Sequence, residues 1–155
     1  MRAFFDERSY NARMTNGADE VLRGGCLCGA VRFALRGALR PPIACHCGQC
    51  RKWSGHFFAA TAVCAENFLP EKEDGLRWYR ASDTARRGFC GECGCSLLWR
   101  PNSGEYVAVA AAALDDDAKL RLSAHIYTAD KGGYYGIADG LPQYAGGAGV
   151  QKMPR

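Results

Sequence analysis

From Arg23 onward, apolar and polar residues alternate with a period of two, the signature of strands packed on one face. "AVRFALRG" (Ala30 to Gly37) alternates and stops at a glycine. "HFFAATAVC", "LRWYRA", "SLLWRP", "YVAVAAAAL" and "RLSAHIYTA" are further predicted strands. Clusters such as "RPNSGE" and "LDDDAK" separate them, as turn residues do. "SLLWRPNSGEYVAVA" reads as a hairpin with its loop at Pro101 to Glu105. The alanine run Ala110 to Ala113 has helix propensity. Valines lead into it and no N-cap precedes it, so a strand is predicted there. Residues 1–20 are polar and aperiodic and read as a flexible arm, with Met14 as an alternative start of translation. A single β domain is expected over 21–150, with a short tail over 151–155.

Composition fits this picture. The chain has 155 residues, 48% of them hydrophobic and 23% charged, so a core can form without staples. The formal charge of +4 is spread over the ends and short pairs such as Arg51-Lys52 and Arg86-Arg87. No basic stripe suggests nucleic acid. "VAVAAAAL", the longest small-apolar run, is far short of the ~20 residues of a membrane span. The N-terminal residues lack the apolar stretch of a signal peptide, which points to the cytoplasm. Thiols stay reduced there, so nine cysteines read as metal ligands before disulfides.

Eight of the nine fall into three groups. "GGCLCGAVRF" carries Cys26 and Cys28, "ACHCGQC" carries Cys45, Cys47 and Cys50, and "GFCGECGCSL" carries Cys90, Cys93 and Cys95; Cys64 stands alone. Cys26, Cys28, Cys90 and Cys93 make two knuckles that together supply the four ligands of a closed tetrahedral zinc site. Cys45, Cys47 and Cys50 can bind a second ion and leave one position for water or substrate. Equally, they can form a second structural site completed by His46, Cys64 or Cys95. His46 alternates out of phase with Cys45 and Cys47, so in an extended segment it points away from them. Sulfur ligands favour zinc, and iron is the main rival. Arg51 and Lys52 would offset the net charge near −1 of three thiolates on a divalent ion. A thioredoxin-like redox pair lacks its βαβ context.

The motifs "GGCLCGAVRF", "CHCGQCRKWSG" and "GFCGECGCSLLW", in this order, resemble the glutathione-dependent formaldehyde-activating enzyme family, which also includes centromere protein V. The tail "HIYTADKGGYYGIADGLPQY" is similar to that family's C-terminal motif. The resemblance implies an Mss4-like fold of twisted β-sheets with little helix. It implies a structural zinc on Cys26, Cys28, Cys90 and Cys93, and a catalytic zinc on Cys45, Cys47 and Cys50. It also implies a carbon–sulfur lyase-type reaction, the addition of glutathione to formaldehyde. Arg51, Lys52 and Trp53 follow the triad and are the expected substrate-binding residues, with Ser54, Gly55 and His56 beside them. Phe57 and Phe58 are wall or core, and His125, Tyr127, Asp139 and Gln143 are candidate rim residues. The alternative is a zinc-stabilised β scaffold that binds a protein partner without catalysis, since a fold does not fix a function.

Overall fold

In the computed structural model residues 20–116 and 120–149 are described, so the predicted arm, apart from Glu20, and the tail lie outside the described residues. The strands are β1 (Val21–Gly25), β2 (Arg32–Arg36), β3 (Arg40–Cys45), β4 (Phe58–Cys64) and β5 (Phe68–Lys72). They continue as β6 (Leu76–Arg80), β7 (Ala85–Cys90), β8 (Ser96–Pro101), β9 (Tyr106–Ala110) and β10 (Ala124–Ile126). One α-helix, α1 (Gly48–Ser54), stands among the described residues. The expected mainly β class with little helix is borne out.

Strands β1, β2 and β5 form a small antiparallel sheet. The other seven form a larger sheet in the order β10-β3-β4-β9-β8-β7-β6, antiparallel except for the β10–β3 pair. One core joins the sheets. Leu22, Phe33 and Leu35 from the small sheet pack with Val63, Leu97, Leu98, Val107 and Val109 from the large one.

The period-two rule explains the other face of the large sheet. Val107 and Val109 enter the main core, so Ala108 and Ala110 must point the opposite way. Ala60 and Ala62 of β4 do the same, and these four alanines pack with Phe58 and Cys50. At these positions one face carries branched side chains, and the reverse face carries methyl groups beside Phe58.

Strand β3 is irregular for a stated chemical reason. Pro41 and Pro42 have no N–H to donate, and pairing with β4 slips between Arg40 and Ile43. Ile43, Ala44 and Cys45 then pair with β4 on one side and with β10 on the other. The strand that delivers Cys45 is thus held from both edges.

The hairpin over β8 and β9 is present, with Pro101 closing the first strand and Gly104 at φ 74° in the turn. The strand predicted through Ala113 ends earlier. Ala111–Ala113 form a 3-10 turn, because the chain must cross from the large sheet to β1. The Asp115 N–H donates to the Arg23 carbonyl at 2.9 Å, and Leu114 bridges Gly24. Alanine lacks the Cβ branch that favours extended backbone, and a Cβ on Gly24 would collide with the Ala113 carbonyl.

Leu98 is fully buried and pairs with Val109. Leu98→Ala is expected to lower unfolding free energy by about 2–5 kcal/mol, the cost of removing a core leucine. Urea denaturation measures this, and a loss below about 1 kcal/mol would contradict the core assignment.

Candidate metal centres and the adjoining cavity

Two turns meet at the first cysteine cluster. Cys26 and Cys28 lie between β1 and β2, where Gly29 takes φ 80°. Cys90 ends β7 and Cys93 follows in the turn to β8. The four sulfurs all lie within 4.8 Å of one another. Cys26 and Cys28 are 3.6 Å apart, and Cys28 and Cys90 are 3.8 Å apart. A tetrahedron with metal–sulfur bonds of about 2.3 Å has sulfur–sulfur edges of about 3.8 Å, so the donor set fits a metal ion. The Val31 N–H donates to Cys26 Sγ at 3.2 Å. Metal aside, the backbone N–H groups of Cys95 and Cys28 pull the Cys93 thiol down to about 6. Cys95 is not one of the four and accepts the Leu27 N–H at 3.3 Å.

The second cluster is Cys45, Cys47 and Cys50, whose sulfurs again lie within 4.8 Å of one another. Cys45 closes β3. Cys47 is the N-cap of α1, its Sγ accepting the Cys50 N–H at 3.3 Å. Cys50 sits in the first turn and is buried. Helix geometry thus folds the C-x-x-C spacing back on itself, while β3 brings up the third sulfur. Hydrogen bonds from Cys45, then Cys50, hold the Cys47 thiol down at about 2, and the same exchange pushes Cys45 far up.

A cavity of about 520 Å³ opens beside this triad. Cys45, Cys47 and Cys50 line it, together with Phe58, Ala60, Ala108, Trp99 and Tyr106. The alanine face of β4 and β9 is what leaves the room. Arg87 also lines it. This arginine is 2% exposed, and its Nη2 donates to Cys50 Sγ at 3.4 Å. Gln49 Oε1 accepts from Arg87 Nε at 3.2 Å and from Nη2 at 2.9 Å.

The other expected site residues are distributed around this cavity. Arg51 donates from Nε to the His46 carbonyl at 3.2 Å, and Lys52 is exposed; neither lines the cavity. Trp53 stacks on Tyr79 with ring centroids 5.9 Å apart and, with Ser54 and Phe57, lines a second cavity. Gly55 caps α1 at φ 82°. Tyr127 lines the triad cavity, with left-handed backbone at φ 54°. Gln143 makes an isolated parallel bridge to His125. Cys64 stands apart from both clusters.

His46 points away from the triad, as its phase requires. It is completely buried and sits inside a chain of polar contacts. Its Nδ1 lies 2.6 Å from the Tyr135 hydroxyl and its Nε2 2.9 Å from His125 Nδ1. His125 Nε2 lies 2.8 Å from Asp139 Oδ2. A carboxylate only accepts, so with neutral rings one direction satisfies every contact. Tyr135 donates to His46, His46 to His125, and His125 to Asp139. His125 and Asp139 are thereby framework residues that tie the C-terminal segment to β3. The His56 ring contacts Tyr134 in the same segment, Nδ1 to hydroxyl at 3.2 Å.

Sequence reading missed Arg87, Gln49 and Tyr135. Arg87 had a readable signal: in "ARRGFC" the period of two puts it in phase with buried Ala85, while Arg86 faces out. Gln49 and Tyr135 carried no signal, because only tertiary contact gives them partners.

The model of the family described as glutathione-dependent formaldehyde-activating enzyme matches residues 21–130. The chain belongs to that family. Among curated proteins, an uncharacterized lyase of Schizosaccharomyces pombe is 32% identical over 84 residues. That match spans 53% of this chain and 59% of the relative's length. A solved Rhodobacter sphaeroides protein shares the fold, with a TM-score of 0.53 at 21% identity over 79% of this chain and 98% of the other. Among the described residues, no helix is long and apolar enough to cross a membrane.

Burial, then the nearby His125, lowers His46 from 6.5 to about 4. Between these values the unfolded chain takes up a proton that the folded chain refuses, so this ring's share of stability is present above 6.5 and is lost as pH falls towards 4. Denaturant melts of the native chain and of His46→Gln across that window should converge as pH falls. Parallel curves would refute the assignment.

Proposed function

We propose that the protein is a zinc-dependent carbon–sulfur lyase-type enzyme that makes and breaks the adduct of glutathione, or a similar thiol, with a small aldehyde such as formaldehyde. The observation that carries this reading is the three-cysteine cluster open to a cavity, separate from a complete four-cysteine cluster. A scaffold needs only the second of these. Family membership and the lyase name of the yeast relative support the reaction class.

In this reading Cys26, Cys28, Cys90 and Cys93 hold a structural zinc, and Cys45, Cys47 and Cys50 hold the catalytic one. Bound at the triad, zinc supplies a Lewis-acid position for a thiolate sulfur or an aldehyde oxygen. Phe58, Trp99 and Tyr106 wall the cavity and limit water around the reacting groups. The cavity is large enough for a small peptide, since ligand pockets run from roughly 300 to 1,000 Å³. Arg51 and Lys52 follow the triad on α1 and contribute positive charge that attracts an anionic thiol. Trp53 fixes the outer face of the helix through its stack on Tyr79.

Two metal ions per chain are expected. Cys90→Ser should unfold or aggregate the chain, because structural zinc binding is folding free energy. Cys47→Ala should leave the fold standing and remove one ion. Elemental analysis with thermal melting checks both, and a Cys47→Ala chain that collapses would make the triad structural.

Glutathione should bind the metal-loaded chain and weaken with rising salt, as exposed charges are screened. S-methylglutathione should bind less well by about 1 kcal/mol or more, the scale of a lost charge-assisted contact. Calorimetry reads both. Equal binding excludes sulfur–metal contact, and binding of neither favours the non-catalytic scaffold.

A further inference from the structure

We propose that Arg87 balances the charge of the triad and selects an anionic thiol over a neutral donor as the fourth partner. This rests on the reading of the triad as an open metal site.

Arg87 touches the cluster directly, through Nη2 and Cys50 Sγ. It is almost wholly buried, where an uncompensated cation is costly. Buried arginines usually pair with carboxylates, yet among the described residues no carboxylate pairs with Arg87. Its hydrogen-bond partners are a neutral amide, Gln49, and the sulfur of Cys50. Nη1 is buried with no hydrogen-bond partner, and the guanidinium carbon sits 5.8 Å from the Trp53 ring centroid. Of the groups that accept from the Arg87 guanidinium, the triad sulfur is the one that can carry negative charge.

Three thiolates around a divalent ion leave one negative charge. The Arg87 guanidinium cancels it. A thiolate entering the open position then meets a neutral site, where without Arg87 it would meet an anion at bonding distance in a poorly screened cavity. A neutral donor meets no such penalty in either case. Gln49 supplies the orientation: it takes two Arg87 hydrogens and sits one residue before Cys50 on α1, so the fork and the sulfur are set by the same helical turn.

The test uses cobalt(II) as the ion, with its thiolate charge-transfer absorption reporting occupancy of the triad. Glutathione and imidazole are titrated into the loaded native chain, Arg87→Met, Arg87→Lys and Gln49→Leu. Arg87→Met is expected to weaken glutathione on the order of tenfold, the range of a lost hydrogen bond to a charged group, with imidazole unchanged. Arg87→Lys should recover most of the loss. Equal weakening of both ligands, or of neither, would overturn the proposal and leave the open-site reading intact. Should Arg87→Met not fold, Gln49→Leu decides. Its side chain is exposed, and a preference for glutathione equal to that of the native chain would overturn the proposal. A native chain that takes up only one cobalt ion overturns the open-site reading, and this inference with it.

Discussion

Four thiols drawn from two distant turns must share one small volume, and the rest of the structure is arranged around that requirement. Cys28 and Cys90 are separated by 62 positions yet lie 3.8 Å apart. Thiolates this close repel unless a cation sits among them. The cluster therefore couples the turn of the small sheet to the end of β7 in the large one. A third passage is fitted against it: Gly75 donates to the Ala30 carbonyl at 3.1 Å and accepts the Gly91 N–H at 2.7 Å. A Cβ there would meet Cys90 Sγ at 2.9 Å, so only glycine lets the chain pass so close to the sulfur.

The second cluster depends on this frame without belonging to it. Cys45 ends a strand held on both edges, and Cys47 caps the helix that carries Cys50. Behind them, the chain of contacts Tyr135–His46–His125–Asp139, buried at its two histidines, fixes the C-terminal segment against β3. The triad has a cavity in front and a saturated polar chain behind. Its sulfurs are positioned by a strand held on both edges and by a helix cap, and Phe58, Trp99 and Tyr106 bound its front.

Much of this was legible in the residues. Knuckle spacing divided seven cysteines into four and three, and the fold brings together the same two sets. Alternation placed His46 away from its neighbours. The hairpin at Pro101 to Glu105 followed from turn chemistry. Other features were hidden for physical reasons. Strand β3 carries Pro41-Pro42, which argues against a strand unless a bulge absorbs the lost donors. Helix α1 is too short for a 3.6-residue period to emerge, and its cap is a cysteine, an unusual residue in that role. The alanine run was ambiguous because its turn is imposed by the crossing to β1. Arg87 was hidden by Arg86, since two adjacent arginines resemble a solvated pair until period two separates them.

The two-faced character of β4 and β9 has a consequence for the cavity. Valines on one face hold the sheets together, while Ala60 and Ala108 on the other floor the cavity. The two sets alternate along the same strands, so they can vary independently. A bulkier residue at Ala60 or Ala108 would fill the cavity rather than enter the core between the sheets. Cavity volume and the join between the sheets are thus set by different residues of the same strands.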